Sequence, residues 1–218
     1  GGKREIIVSQ EEFDEILSLA PDRGFRDLVI VTWETGCRPQ ESLIVEARHV
    51  DLVNQRWVFQ QSEEKSRSSM RVVYLTDRAL EIVKRLMLAY PEGPLFRNSD
   101  GEPWTADSVN CAFTRIRVRM GRGLLKATRT AKDKRRKLLY IDEESVTALA
   151  ATMRREQRDG KPKSEARLQW EARQRLTNKA AVAVAPKYSL YALRHTWMNR
   201  LLTSGVDALT VAILSGHR

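Results

Sequence analysis

Cysteine and histidine are scarce in this chain. Only Cys37 and Cys111 occur, with no CxxC pair, and His49, His195 and His217 fall at no metal-ligand spacing, which argues against a disulfide framework and a zinc site. No apolar run approaches the length of a membrane-crossing helix and no signal peptide opens the chain, while Gly1-Gly2 reads as a linker remnant or a scar. A cytoplasmic protein with no membrane partner is expected. Acids are also short: 28 Asp and Glu face 38 Lys and Arg, for a formal net charge of +10. Such an excess gains binding energy by releasing counterions from a polyanion, yet ribosomal proteins, heparin binders and membrane-surface proteins share it. What is present is a 42% hydrophobic chain of 218 residues, enough for one principal domain and a small lobe.

The periodicity predicts a mainly α fold with a small three-stranded antiparallel β-sheet. Ser9-Gln10-Glu11-Glu12 has capping-box form, and Phe13, Ile16, Leu17 and Leu19 follow at helical spacing. Phe25 to Trp33 is an apolar run without a strand's alternation, so a buried helix ending near Gly36 is expected there. Pro39 suits the first position of the next helix, with Leu43, Ile44 and Ala47 as its apolar stripe. Val50 to Val53, Arg56 to Gln60 and Arg71 to Leu75 read as the strands. Thr76 or Asp77 caps a helix through Tyr90, Pro91 to Pro103 is a loop, and Thr105 or Asp107 caps a helix that runs into an arginine-rich stretch. Residues 141 to 180 read as helices interrupted near Gly160-Lys161-Pro162, and two further helices run from about Leu190 to Gly205 and from Val206 to Gly216.

Three short clusters could carry chemistry. Thr35-Gly36-Cys37-Arg38-Pro39-Gln40-Glu41 sets an arginine at the turn that opens a helix, where its guanidinium and free backbone N–H groups can hold an anion. Taken alone, Arg38 and Glu41 are equally an i,i+3 surface ion pair. Tyr191-Ala192-Leu193-Arg194-His195-Thr196 sets a tyrosine and an arginine three residues apart on one helix, beside the Leu190, Leu193 and Trp197 stripe. Ser215-Gly216-His217 puts a histidine just past a helix end.

Taken in order, a Thr-Gly-x-Arg-x-x-Glu box, a lysine between two strands, a Leu-Arg-His-Thr box and a later Gly-His pair resemble the catalytic domain of tyrosine recombinases, the phage-integrase family. The resemblance runs from about Ser9 to the last residue. Residues 119–185 are longer and more basic than the family's usual connection and read as a helical insertion. It implies that Arg38 and Arg194 grip the scissile phosphate, tasks suited to bidentate, permanently charged donors. Lys65, in Glu64-Lys65-Ser66-Arg67, corresponds to the hairpin lysine that protonates the departing 5′ oxygen, with Arg67 a nearby competitor and candidate DNA contact. His217 corresponds to the phosphate-binding histidine and Glu41 to the acid that supports the site. Tyr191 stands where most members carry histidine or lysine; a phenol can donate a hydrogen bond but is a poor base at neutral pH.

The same resemblance places the attacking tyrosine beyond Arg218 and the family's DNA-clamping domain before Ser9, so residues 1–218 by themselves are expected to polarise a phosphodiester without forming the covalent intermediate. No metal or nucleotide cofactor is implied, since arginines, a lysine and a histidine stabilise the charge. Double-stranded DNA, self-association on that DNA, and a bacterial, phage or mobile-element setting follow as expectations. Arg115, Arg117, Arg119, Arg122 and Lys126, at the start of a basic stretch reaching Lys137, are candidate DNA contacts. Two other readings share the scaffold: a type IB topoisomerase-like domain and a non-catalytic DNA-binding module.

Overall fold

The computed structural model describes residues 6–60, 70–127, 141–156 and 162–216. These form two units, residues 1–113 with 187–218 and residues 114–186. In the first unit, α1 (Gln10–Ser18) opens as the capping box requires: Ser9 Oγ accepts from the Glu12 N–H, and Glu12 accepts from the Ser9 N–H. Asp22 caps α2 (Arg23–Thr35), which ends on Gly36 in the left-handed region. Pro39 opens α3 (Pro39–Ile44), followed by a single 3₁₀ turn (Ala47–His49). β1 (Val50–Asp51), β2 (Arg56–Phe59) and β3 (Arg71–Tyr74) pair antiparallel in the order β1-β2-β3, with Trp57 opposite Val50 and Val73, and Phe59 opposite Arg71. Thr76 caps α4 (Asp77–Ala89).

The long α5 (Ala106–Ala127) begins in the first unit and continues into the second, where α6 (Glu143–Glu156) and α7 (Glu165–Val184) follow. The chain then returns to the first unit with α8 (Leu190–Thr203), capped by Ser189, and α9 (Ala208–Ser215), capped by Asp207 and closed by Gly216. No helix among the described residues is long and apolar enough to cross a membrane.

Aromatic rings organise the core of the first unit. Phe13 stacks on Trp33 at 4.1 Å, and Phe25 meets Trp104 and Phe113 edge-on at 5.3 and 5.2 Å. The sheet contributes Trp57, Phe59 and Val73 from its inward face. The second unit has its own small core, in which Val146, Ala150 and Met153 of α6 meet Leu168 and Ala172 of α7. There Arg117 of α5 donates from Nε to the Pro186 carbonyl at 2.9 Å and from Nη2 to the Val182 carbonyl at 2.8 Å, tying α5 to the end of α7.

The stripe expected along α3 differs from what that helix buries. Ile44 is exposed and Leu43 and Ala47 are half-buried, whereas Glu41 and Ser42 are buried, because α3 turns its carboxylate inward to meet arginine partners. At the preceding turn, Gly36 has φ 60°, and a Cβ there would sit 2.2 Å from the Trp197 ring. Gly36→Ala therefore combines a left-handed backbone with overpacking and should cost about 2 kcal/mol or more. Urea unfolding checks this, and an unchanged midpoint would refute it.

Candidate phosphate-binding site

The site grows from two turns, one strand and the buried face of α8, all within the first unit. Arg38 is the N-cap of α3, and its own N–H donates to Glu41 Oε2 at 2.7 Å, so the carboxylate that starts the helix also orients the residue before it. The Arg38 side chain reaches Glu41 Oε1 at 3.4 Å. Arg194 lies on the buried face of α8, 3% exposed. Its Nη1 donates to the Gly36 carbonyl and its Nη2 to the Ser215 carbonyl, both at 2.6 Å.

A third arginine joins them that the sequence motifs do not single out. Arg71, 6% exposed, donates from Nε to Glu41 Oε1 at 2.9 Å and from Nη1 to the Leu214 carbonyl at 2.8 Å. Arg38 Nη2 donates to the Gly216 carbonyl. Three successive carbonyls at the end of α9, those of Leu214, Ser215 and Gly216, thus each accept from a different guanidinium. Helix-end carbonyls lack intrahelical donors and carry partial negative charge, which is why cations gather there. Gly216 is required by this crowding: at φ 75°, a Cβ would lie 3.1 Å from Arg38 Nη2 and from the Arg71 guanidinium.

Among the described residues, the guanidinium groups of Arg38, Arg71 and Arg194 gather about the carboxylate of Glu41. Burial pulls the Arg194 pKa below its ordinary value, Arg71 and Arg38 act in the same direction, and Glu41 opposes them. Such an arrangement of bidentate donors can receive an anion. Beneath it, burial first and then the Glu41 charge push the Cys37 thiol up to about 11. In the folded protein Cys111, which is exposed, should react with a thiol reagent while Cys37 stays silent until denaturation. Two equally fast thiols would contradict the packing described.

Arg38, Glu41 and Arg194 are therefore brought together, with Arg71 added. Lys65, Arg67 and His217 lie outside the described residues, as do residues 128–140 of the basic stretch. Tyr191 is 57% exposed on α8 and makes none of the hydrogen bonds of the arginine cluster. Among the candidate DNA contacts, Arg115, Arg119 and Lys126 are exposed. Arg117 is committed to α7 carbonyls, and Arg122 donates to Gln174 at 2.7 Å. Among the described residues no group of three or more His, Cys, Asp or Glu could hold a metal ion.

No family model and no curated protein matches this chain. Solved structures do. The Tn1549 transposon integrase in complex with circular intermediate DNA superposes with a TM-score of 0.57 at 14% identity, over 99% of this chain and 60% of its own. The same integrase in complex with transposon right end DNA gives 0.57 at 15% identity, over 99% and 59%. XerA recombinase gives 0.51 at 14% identity, over 100% and 57%. This chain spans about three fifths of the length of the structures it matches. Its mainly helical architecture with one three-stranded antiparallel sheet is the fold of tyrosine-recombinase catalytic domains.

Proposed function

We propose that this chain carries the phosphate-activating part of a site-specific DNA recombinase, whose full-length form cleaves DNA by attack of a tyrosine hydroxyl on a phosphodiester. The oxygen–phosphorus bond to tyrosine forms, the bond to the 5′ oxygen breaks, and that oxygen leaves with a proton. The supporting observation is the convergence of Arg38 and Arg194 on one helix end around Glu41, in a chain with this fold. In this proposal the two arginines hold the non-bridging oxygens and stabilise the charge that builds in the transition state. Arg71 and Glu41 hold them in place. Lys65 as proton donor to the 5′ oxygen, His217 as a further phosphate donor, and Tyr191 as a hydrogen-bond donor in place of the usual basic residue rest on the motif resemblance.

Tyr188 is poorly suited to be the nucleophile. Its hydroxyl donates to Glu12 Oε1 at 2.7 Å, and burial followed by that carboxylate raises its pKa far above the ordinary value, so its phenolate is disfavoured. Duplex DNA is the proposed substrate, with assembly of several copies on it. The test is to incubate the gene-length protein with a nicked suicide duplex in the presence of a chelator. A covalent protein–DNA species is the expected product, and tight DNA binding without one would favour a non-catalytic module on the same scaffold.

A further inference from the structure

The end of α2 is held from one face of α8. Arg194, Trp197 and Arg200 recur at i, i+3 and i+6, and each donates to a carbonyl at that end: Arg194 Nη1 to Gly36, Trp197 Nε1 to Glu34 at 3.1 Å, and Arg200 Nη2 to Trp33. The last carbonyls of a helix have no intrahelical donor, so side chains of a neighbouring helix can satisfy them. The backbone closes one more, since the Gly36 N–H donates to the Thr32 carbonyl at 2.9 Å.

The three donors differ in what else they touch. Arg194 belongs to the arginine cluster, and Arg200 lies over the Trp33 ring at 4.0 Å, back from the helix end. Trp197 touches the turn itself. A Cβ at Gly36 would lie 2.2, 2.3 and 2.8 Å from its Cε3, Cδ2 and Cγ, so the backbone of that residue rests directly on the indole. Only glycine permits such an approach together with φ 60°. The next residue, Cys37, is fully buried and donates its N–H to Thr35 Oγ1 at 3.3 Å, and the one after it is Arg38. One flat side chain thus supports Gly36 and tethers the Glu34 carbonyl before it. The turn that delivers Arg38 to Glu41 and to the Gly216 carbonyl cannot move toward α8 without displacing that ring.

We propose that Trp197 is a positioning residue for Arg38, acting through the Gly36–Cys37 turn and not by contact with the phosphate. Sequence patterning gives it only a place on the apolar stripe of α8. The consequence for DNA cleavage rests on the recombinase proposed above, whereas the support of the turn does not. A misplacement of about 1 Å in a positioned group can cost on the order of a hundred-fold in rate, so a wall behind the turn matters to the chemistry.

Two readouts test this in the gene-length protein, for Trp197→Leu, Trp197→Phe and Arg200→Met. The last is the control, because it also removes a donor to the end of α2 but at a carbonyl farther from Arg38. The first readout is single-turnover cleavage of a nicked suicide duplex over a range of DNA concentrations. Trp197→Leu should lower the rate at saturation by about tenfold to a hundred-fold while the half-saturating DNA concentration changes little. Trp197→Phe, which keeps a flat ring under Gly36, should recover most of the rate, and Arg200→Met should keep it.

The second readout is labelling of Cys37 by a thiol reagent in a Cys111→Ser background, under native conditions and in dilute urea. Exposure by local opening does not change with urea, whereas exposure by global unfolding rises steeply with it. Trp197→Leu should label at a urea-independent rate, and the wild type and Arg200→Met only through global unfolding. If Trp197→Leu does not fold, the larger Trp197→Met carries the same expectations.

Urea-dependent labelling in Trp197→Leu, as in Arg200→Met, overturns the proposal whether or not the protein cleaves DNA. A wild-type cleavage rate in Trp197→Leu, or equal rate losses in Trp197→Leu and Arg200→Met, overturns it as well. If the wild type forms no covalent adduct while Trp197→Leu shows the local opening, the recombinase falls and the support of the Arg38 turn by Trp197 stands.

Discussion

Replacing Glu41 with alanine is expected to lower the free energy of unfolding by about 3–5 kcal/mol, the usual consequence of removing one partner of a buried ion pair. Glu41 and Arg71 are each 6% exposed, and the carboxylate is also the acceptor for the Arg38 N–H that starts α3. Without it, the Arg71 guanidinium keeps its charge in a buried setting that already holds Arg38 and Arg194. Glu41→Gln keeps the shape and one acceptor oxygen but not the charge, so an intermediate loss is expected. Glu41→Leu combined with Arg71→Met should recover part of the stability, since exchanging a whole buried pair for apolar groups costs far less than breaking it. Urea unfolding of the four proteins is the measurement. A loss below about 1 kcal/mol for Glu41→Ala would mean that water reaches the cluster freely and that it behaves as a surface pair.

The second large effect is on chemistry. Under the proposed recombinase function, Arg38→Ala and Arg194→Ala should each slow DNA cleavage by about a hundred-fold or more at saturating DNA, the scale seen when one preorganised donor to developing charge is removed. The two should differ in stability. Arg194 is buried and satisfies the carbonyls of Gly36 and Ser215, so its removal leaves two acceptors without their donor. Arg38 is about one-third exposed at its side chain and bonds the Gly216 carbonyl, so Arg38→Ala should retain more of the fold while losing comparable rate. Arg194→Lys keeps the charge but cannot span both carbonyls with one planar fork, and a substantial loss of rate is still expected. Single-turnover cleavage beside urea unfolding separates the two effects. A fast Arg38→Ala protein would remove that arginine from the chemistry.

Much of the fold was legible because local signals and packing agree. The capping box at Ser9, the apolar run ending at Gly36, Pro39 at the head of α3 and the three strands all appear close to where periodicity and turn chemistry place them. For the candidate site, the order of the motifs points to Arg38, Glu41 and Arg194, which pack together, whereas Arg71 escapes notice because a charged residue opening a strand reads as an edge. Strand alternation held the clue: Val73 and Leu75 face the core, so Arg71, two residues before Val73, faces it too. The apolar stripe expected on α3 failed for the same reason, since the inward face of that helix is occupied by an ion pair that spans thirty positions of sequence. Tyr191 and Arg194 show the limit of i,i+3 reasoning. Three residues fall short of a full helical turn, and at the border of a buried face that offset leaves one side chain 57% exposed and the other 3%. Neither the commitment of Arg117 to α7 carbonyls nor the hold of Gln174 on Arg122 can be read from composition, because both depend on which helix packs beside α5.

The most direct measurement is covalent trapping on a nicked suicide duplex by the gene-length protein, its Arg38→Ala variant and its Arg194→Ala variant, with the linked DNA end mapped. The expected result is a 3′-phosphotyrosyl adduct in the wild type that falls by about a hundred-fold or more in both variants. An adduct that forms equally well without either arginine, or no adduct despite firm binding of the same duplex, would contradict the assignment of the arginine cluster to DNA strand cleavage.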